Sequence, residues 1–209
     1  MNIGIIGAGN VGKALGETWL KRGHDVLFSY SRDAAKLRAY AATLGPRACA
    51  GTPAEAVAFG DVLLFAPPWS AVEEALQAAG PLTGKILIDC TNPLKPDLSG
   101  LAIGHTTSAA EETARRTPGA RVVKAFNTTG ADNMRSPQFA AGRAAMFICG
   151  DDHAAKSITG ALAQEIGFDA VDIGPLRMAR LLEPMAMLWI HMAVGLKMGS
   201  GFAFSLLKR

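Results

Sequence analysis

The first fifteen residues constrain the architecture more than any other part of the chain. Met1-Asn2-Ile3-Gly4-Ile5-Ile6 is a short apolar run that passes straight into Gly7-Ala8-Gly9-Asn10-Val11-Gly12, and the helix-forming Lys13-Ala14-Leu15 follows. A GxGxxG alone is weak evidence, but between a strand and a helix it is the fingerprint of a dinucleotide-binding βαβ unit. In that unit Gly7 permits the tight turn, Gly9 lets the backbone approach a pyrophosphate, and Gly12 lets helix and strand pack closely. The first N–H groups of the helix have no intrahelical acceptor, so they are available to the anion.

Beyond this unit, short apolar runs alternate with Ala-rich segments of helical length, the pattern of a parallel sheet covered on both faces. Strands are expected near Asn2–Ile6, Asp25–Ser29, Arg47–Ala50, Val62–Ala66, Ile86–Asp89 and Arg121–Ala125. Helices are expected near Val11–Arg22, Ala34–Leu44, Pro53–Phe59, Ser70–Ala79 and Ser108–Arg116, with Asp33, Thr52 and Ser70 placed as N-caps. The connections read as short. After Gly130 come an apolar run at Ala144–Cys149, a helix near His153–Ile166, a strand near Ala170–Ile173 and a long apolar helix from about Leu176.

The expected fold is therefore α/β: a Rossmann-like, doubly wound, mainly parallel sheet with a small C-terminal α/β extension ending in a buried helix. We place the dinucleotide-binding domain at 1–130 and the extension, as acceptor-site wall and dimer contact, at 131–209. In the last helix Met185, Leu188, Trp189, Met192 and Leu196 recur at helical spacing, while Ala186, Ile190 and Ala193 make the opposite side apolar too. Such a helix is expected to be buried all round, against the sheet and against a second copy of the chain.

Composition excludes several function classes. A chain of 209 residues that is 49% hydrophobic folds as one large domain or one with an appendage, and is not disordered. With 21 basic against 18 acidic residues the net charge is +3, too small and dispersed for a nucleic-acid footprint. Cys49, Cys90 and Cys149 are odd in number and lack a CxxC, which fits a reducing, cytoplasmic setting and no metal site. Neither the N-terminus nor the stretch Met185–Leu196, interrupted by His191, has the form of a signal peptide or membrane span. A cytoplasmic protein is expected. GxSxG, HExxH and P-loop motifs are missing, and His24, His105, His153 and His191 lie at no catalytic spacing.

The second strand decides which dinucleotide is expected. It ends Phe28-Ser29-Tyr30-Ser31-Arg32, with hydroxyls and a guanidinium where NAD enzymes carry a carboxylate on the ribose 2′-hydroxyl. Arg32 suits bidentate contact with a 2′-phosphate, Asp33 reads as a helix cap, and Lys36 adds positive charge one turn on. NADP is therefore the expected cofactor. Two further strand ends, Ala66-Pro67-Pro68-Trp69 and Asp89-Cys90-Thr91-Asn92-Pro93, point into the same crevice. Pro68 and Trp69 are expected beside the nicotinamide ribose, Asn92 at the ribose or carboxamide, and Asn127, in Lys124-Ala125-Phe126-Asn127-Thr128-Thr129-Gly130, nearest the ring. We assign no catalytic side chain, because hydride transfer between two ring cofactors requires only that the rings be held face to face.

Taken together, Gly7 to Leu15, Ser31-Arg32, Pro68-Trp69, Arg121 to Thr128, Cys149-Gly150-Asp151-Asp152, Gly174-Pro175-Leu176 and Arg180 to Glu183 resemble the NADP oxidoreductases that use deazaflavin coenzyme F420. The strand end Lys124-Ala125-Phe126-Asn127 is also similar to the NADPH-binding domain of the six-transmembrane metalloreductases. The resemblance implies a homodimer with NADP on Gly9, Asn10, Val11, Ser31, Arg32, Lys36 and the Pro68-Trp69 turn. It also implies a small-molecule redox acceptor, F420 or a flavin. Two other readings stay open at this point: an NADPH-dependent flavin or ferric reductase, and an NADPH sensor without turnover.

Overall fold

The computed structural model describes residues 1–207 and 209. Its sheet is built from β1 (Asn2–Ile6), β2 (Asp25–Ser29), β3 (Ala48–Ala50), β4 (Val62–Phe65), β5 (Ile86–Asp89), β6 (Arg121–Lys124), β9 (Ala145–Gly150) and β10 (Asp169–Asp172), in the order β10-β9-β6-β5-β4-β1-β2-β3. The run from β3 to β6 is the order 3-2-1-4-5-6 of a doubly wound fold, parallel throughout. The reversal of strand order between β1 and β4 opens the crevice where such folds take ligands.

Helices cover both faces. α1 (Asn10–Lys21), α2 (Ala34–Thr43) and α7 (His153–Glu165) close one core around Ile5, Leu15, Trp19, Phe28, Phe126 and Phe168. α3 (Pro53–Phe59), α4 (Val72–Ala79), α5 (Ala109–Arg116) and α8 (Ala179–Ile190) close the other around Leu63, Phe65, Leu76, Leu87 and Leu182. α1 lies close on the sheet because it carries glycine where it crosses β2: a Cβ at Gly16 would stand 2.4 Å from the Phe28 ring. Asp33 and Thr52 cap α2 and α3 as expected, Thr52 within a capping box with Glu55.

The segment after Gly130 extends the same sheet. A short helix α6 (Ala131–Arg135) and a two-residue hairpin, β7 (Gln138–Phe139) with β8 (Gly142–Arg143), lead into β9, which pairs antiparallel with β6. Trp19 donates from Nε1 to the Leu162 carbonyl of α7, and its ring meets Phe126 edge-on at 5.8 Å, so the extension shares a core with α1. Residues 200–204 then return to latch this region. Asn133 donates to the Ser200 and Phe202 carbonyls, Trp189 Nε1 to Phe202, and Ala145 N–H to Phe204.

Two expectations need correction. Ser70 is not a helix cap: Trp69–Ala71 forms a 3₁₀ turn, and α4 begins at Val72 with Ala71 as its uncapped start. The connection from β5 to α5 is not short, since residues 90–108 intervene with only a Leu94–Leu101 bridge. Within a single chain the last helix is buried along one flank. It buries Ala179, Leu182, Glu183, Ala186 and Trp189, while Leu181 and Leu188 are exposed, as are Val194, Leu196 and Met198 beyond it. The sheet covers only one flank, and among the described residues nothing covers the other. Among the described residues no helix is long and apolar enough to cross a membrane.

Candidate functional site

A cleft of about 880 Å³ opens at the carboxyl ends of β1, β2 and β4. Its walls are the turn Gly7 to Val11, the tip Tyr30-Ser31-Arg32, the segment Ala66-Pro67-Pro68 with Ser70 and Ala71, Glu74 of α4, and Cys90 just past β5. Gly7 has φ of 114°, and its N–H donates to the Ser29 carbonyl at 3.1 Å. A Cβ there would also strike Ala66, so both conformation and space require glycine. Gly12 lies outside the lining, pressed against the turn so tightly that a Cβ would stand 2.1 Å from the Gly7 oxygen.

Gly9 is different. Its φ of −81° suits any residue, and a Cβ there would meet no atom of the chain within 4 Å. Neither backbone nor packing asks for glycine, so the open space beside it is the feature that fits a closely approaching group. No side chain caps α1 at this end, which leaves its first N–H groups turned to the same space. An anionic pyrophosphate suits both properties.

At the tip of β2, Arg32 is exposed and makes no ion pair among the described residues. The nearest carboxylate, Asp33, is engaged elsewhere: Oδ1 accepts from Lys36 N–H at 2.9 Å, and Oδ2 lies 3.5 Å from Lys36 Nζ. Lys36 thus sits outside the cleft lining, paired with the cap. Pro68 lines the cleft, but Trp69 turns away and packs against the core beneath it. Tyr30, with φ of 56°, bridges the two strand tips by donating to the Ala71 carbonyl at 3.4 Å. Burial and the neighbouring Glu74 carboxylate push its phenol above the usual range. Tyr30, Ser70, Ala71, Glu74 and Cys90 were not singled out from the sequence as contact residues.

Asn92 and Asn127 do not line the cleft either. They bind each other: Asn92 Nδ2 donates to the Asn127 carbonyl at 3.0 Å, and Asn127 Nδ2 donates to Asn92 Oδ1 at 3.0 Å and to the Leu182 carbonyl at 3.1 Å. The pair ties the strand-end turns of β5 and β6 to α8, and among the described residues Asn127 Oδ1 is buried without a partner.

Comparison with known proteins agrees with this geometry. The family model described as "NADP oxidoreductase coenzyme F420-dependent" matches residues 2–93. The F420-dependent NADP reductase of Methanothermobacter marburgensis is 31% identical over 154 residues, covering 68% of this chain and 67% of that protein. A crystal structure from Arthrobacter sp. FB24, described as a candidate F420-dependent NADP-reductase, superposes with a TM-score of 0.88 at 30% identity over the whole of both chains. This chain belongs to the F420-dependent NADP oxidoreductase family. The metalloreductase STEAP3 of Rattus norvegicus is 31% identical over 183 residues, 87% of this chain, which spans only 35% of that longer protein. As a member of the family, the chain is an NADP-dependent oxidoreductase with a Rossmann-like fold.

Below the carboxyl ends of β5 and β6 lies a buried charge cluster. Lys124, at the end of β6 and wholly inaccessible, places Nζ 2.9 Å from Glu183 Oε1 and 3.5 Å from Asp89 Oδ1, and donates to the Thr91 carbonyl. Glu183 of α8 also accepts from the Ala109 and Ala110 N–H groups at the start of α5, at 2.8 and 3.2 Å. Burial opposes the Lys124 charge, but Asp89 and Glu183 outweigh it and hold the ammonium protonated. The cluster pins the turn after β5, the end of β6 and α8 to one point. Burial pushes the adjacent Cys90 thiol well above the usual range, so it stays protonated.

Proposed function

We propose that this oxidoreductase transfers a hydride between NADP(H) and coenzyme F420. NADP(H) would be held by Gly7, Gly9, Asn10, Val11 and Gly12 at its pyrophosphate, by Ser31, Arg32 and Lys36 at its 2′-phosphate, and along the turn Pro68-Trp69. Asn92 and Asn127 would frame its nicotinamide end. The observation that carries this reading is the space kept clear beside Gly9, at an uncapped helix start and within one cleft of the unpaired Arg32. When bound, NADP(H) supplies or accepts the hydride at its nicotinamide ring.

The chain's own contribution is orientation. The start of α1 and Arg32 fix the two phosphate positions, and the Lys124 cluster with the Asn92–Asn127 pair holds the strand-end turns on which the second ring must rest. No side-chain acid or base is needed for such a transfer, and the protonated, buried Cys90 offers none. Residues 131–209 form the acceptor-site wall and the contact of a homodimer, for which the exposed Leu181, Leu188, Val194 and Leu196 supply apolar surface. Three free cysteines fit a reducing compartment such as the cytoplasm. F420 is preferred as acceptor because the methanogen relative that carries it in its name matches two thirds of both chains.

Similarity to STEAP3 favours a second reading, NADPH-dependent reduction of a flavin or of chelated ferric iron. One experiment separates them: anaerobic NADPH oxidation followed at 340 nm with F420, FMN, FAD and ferric chelate offered in parallel. Turnover with F420 alone is expected. Turnover confined to flavin or iron would replace the acceptor, and tight NADPH binding with no turnover in any arm would overturn both readings.

A further inference from the structure

The outer wall of the cleft, where Tyr30 at the tip of β2 meets Ala71 and Glu74 beyond β4, carries no cationic side chain among the described residues. Glu74 is the one carboxylate that lines the cleft among the described residues. A dinucleotide with a pyrophosphate and a 2′-phosphate is strongly anionic, so a carboxylate on its binding wall repels it unless the ligand offers a hydrogen-bond donor at that point. In a doubly wound sheet the β1–β2 half takes the adenosine, the tip of β2 lies at its ribose, and the base extends beyond that ribose. The base edge includes one strong exocyclic donor, the 6-amino group of adenine.

Tyr30 supports the same placement. A bulky residue at φ of 56° is an uncommon conformation that its surroundings must hold, and here the bond from its hydroxyl to the Ala71 carbonyl does so. Its ring thereby closes the gap between the two strand tips and gives a flat base an apolar surface beside Glu74. Glu73, the preceding residue, is exposed on the same first helical turn but does not line the cleft, so a general role for acidic residues at the start of α4 does not distinguish the two.

We propose that Glu74 is a specificity-determining residue that accepts a hydrogen bond from the adenine 6-amino group, with Tyr30 as the adjoining wall, so that the protein discriminates adenine dinucleotides from their 6-oxo counterparts. This rests on the NADP(H) reading above. A 6-oxo base presents an acceptor to the carboxylate, so both the bond and the match of donor to acceptor are lost.

The test is a fluorescence titration of NADPH and of reduced nicotinamide hypoxanthine dinucleotide phosphate against the full chain and its Glu74→Gln, Glu74→Ala and Glu73→Gln variants. The unmodified protein should bind NADPH about tenfold more tightly than the hypoxanthine analogue, the scale of one charge-assisted hydrogen bond. Glu74→Gln should narrow the gap to about threefold or less, because a carboxamide can donate to a 6-oxo group as readily as it accepts from an amino group. Glu74→Ala should narrow it as well, and Glu73→Gln should leave it intact. Equal binding of both dinucleotides by the unmodified protein, or an undiminished gap in both Glu74 variants, overturns the proposal while leaving NADP(H) in the cleft. Failure of the unmodified protein to bind either dinucleotide overturns the cofactor reading and this inference with it.

Discussion

A methyl group added at Gly9 would meet no atom within 4 Å, whereas one at Gly12 would stand 2.1 Å from the Gly7 carbonyl oxygen. The two substitutions should therefore separate binding from folding. Gly9→Ala is expected to unfold within about 1 kcal/mol of the parent, the scale of a changed helix cap, while losing NADPH affinity. Gly12→Ala should lose about 1–3 kcal/mol of stability through overpacking against backbone. Urea denaturation and NADPH titration of both variants check the pair. Arg32→Ala should weaken NADPH by about 1.5–3 kcal/mol and leave NADH nearly unchanged; equal losses for the two cofactors would remove Arg32 from the 2′-phosphate. At this scale the glycine turn and the Arg32 tip were legible as cleft lining because their requirements are local: a turn, a close approach, a charge. Tyr30 and Glu74 were not, since the Tyr30 position depends on a left-handed backbone and on a contact 41 residues away. Asn127 bonds Asn92 and does not line the cleft, for a polar strand end announces a hydrogen-bonding group but not whether its partner is a ligand or another loop.

Elements buried on both faces announced themselves. β1, β2, β4, β5 and β6 are continuous apolar runs, and their observed limits lie within a residue of those expected. The hairpin β7–β8 and the five-residue α6 were invisible, being too short to show any period. What covers the second flank of α8 was not legible, because an all-round apolar helix does not reveal whether that flank meets its own chain or another. α8 is joined to α5 by Arg180, whose Nη2 and Nε reach Glu111 at 2.7 and 2.9 Å. That guanidinium, above all, holds the Glu111 carboxyl below its ordinary value of 4.5. A depressed carboxyl pKa means that the pair stabilises the fold above the ordinary value and that the contribution is lost as pH falls through the depressed one. Thermal unfolding of the parent and of Arg180→Ala should therefore differ near neutral pH and converge as acidification carries the pH through the depressed value. Parallel curves across that range would show that the pair does not link the two helices.

Over the whole molecule, the reading most exposed to test is the homodimer. Leu188 is half exposed in the single chain, on the flank of α8 that the sheet does not cover. Leu188→Glu should convert a species of twice 21.8 kDa into one of 21.8 kDa by light scattering, with the fold preserved because half of the side chain is already open to solvent in the single chain. A parent protein that already runs as the smaller species would refute the dimer. The molecule's two halves also differ in how far apart along the chain their fastenings lie. The pairs β1–β2 and β4–β5 close over 23 and 24 positions, whereas β1–β4 spans 59, Asn133 waits for carbonyls 67 and 69 positions further on, and the first N–H of β9 waits for Phe204. Closing such long loops is slow relative to pairing adjacent units. Assembly therefore has an order written into it, in which neighbouring strand pairs such as β1–β2 and β4–β5 form first and the tie of residues 200–204 across Asn133 and β9 is fastened last.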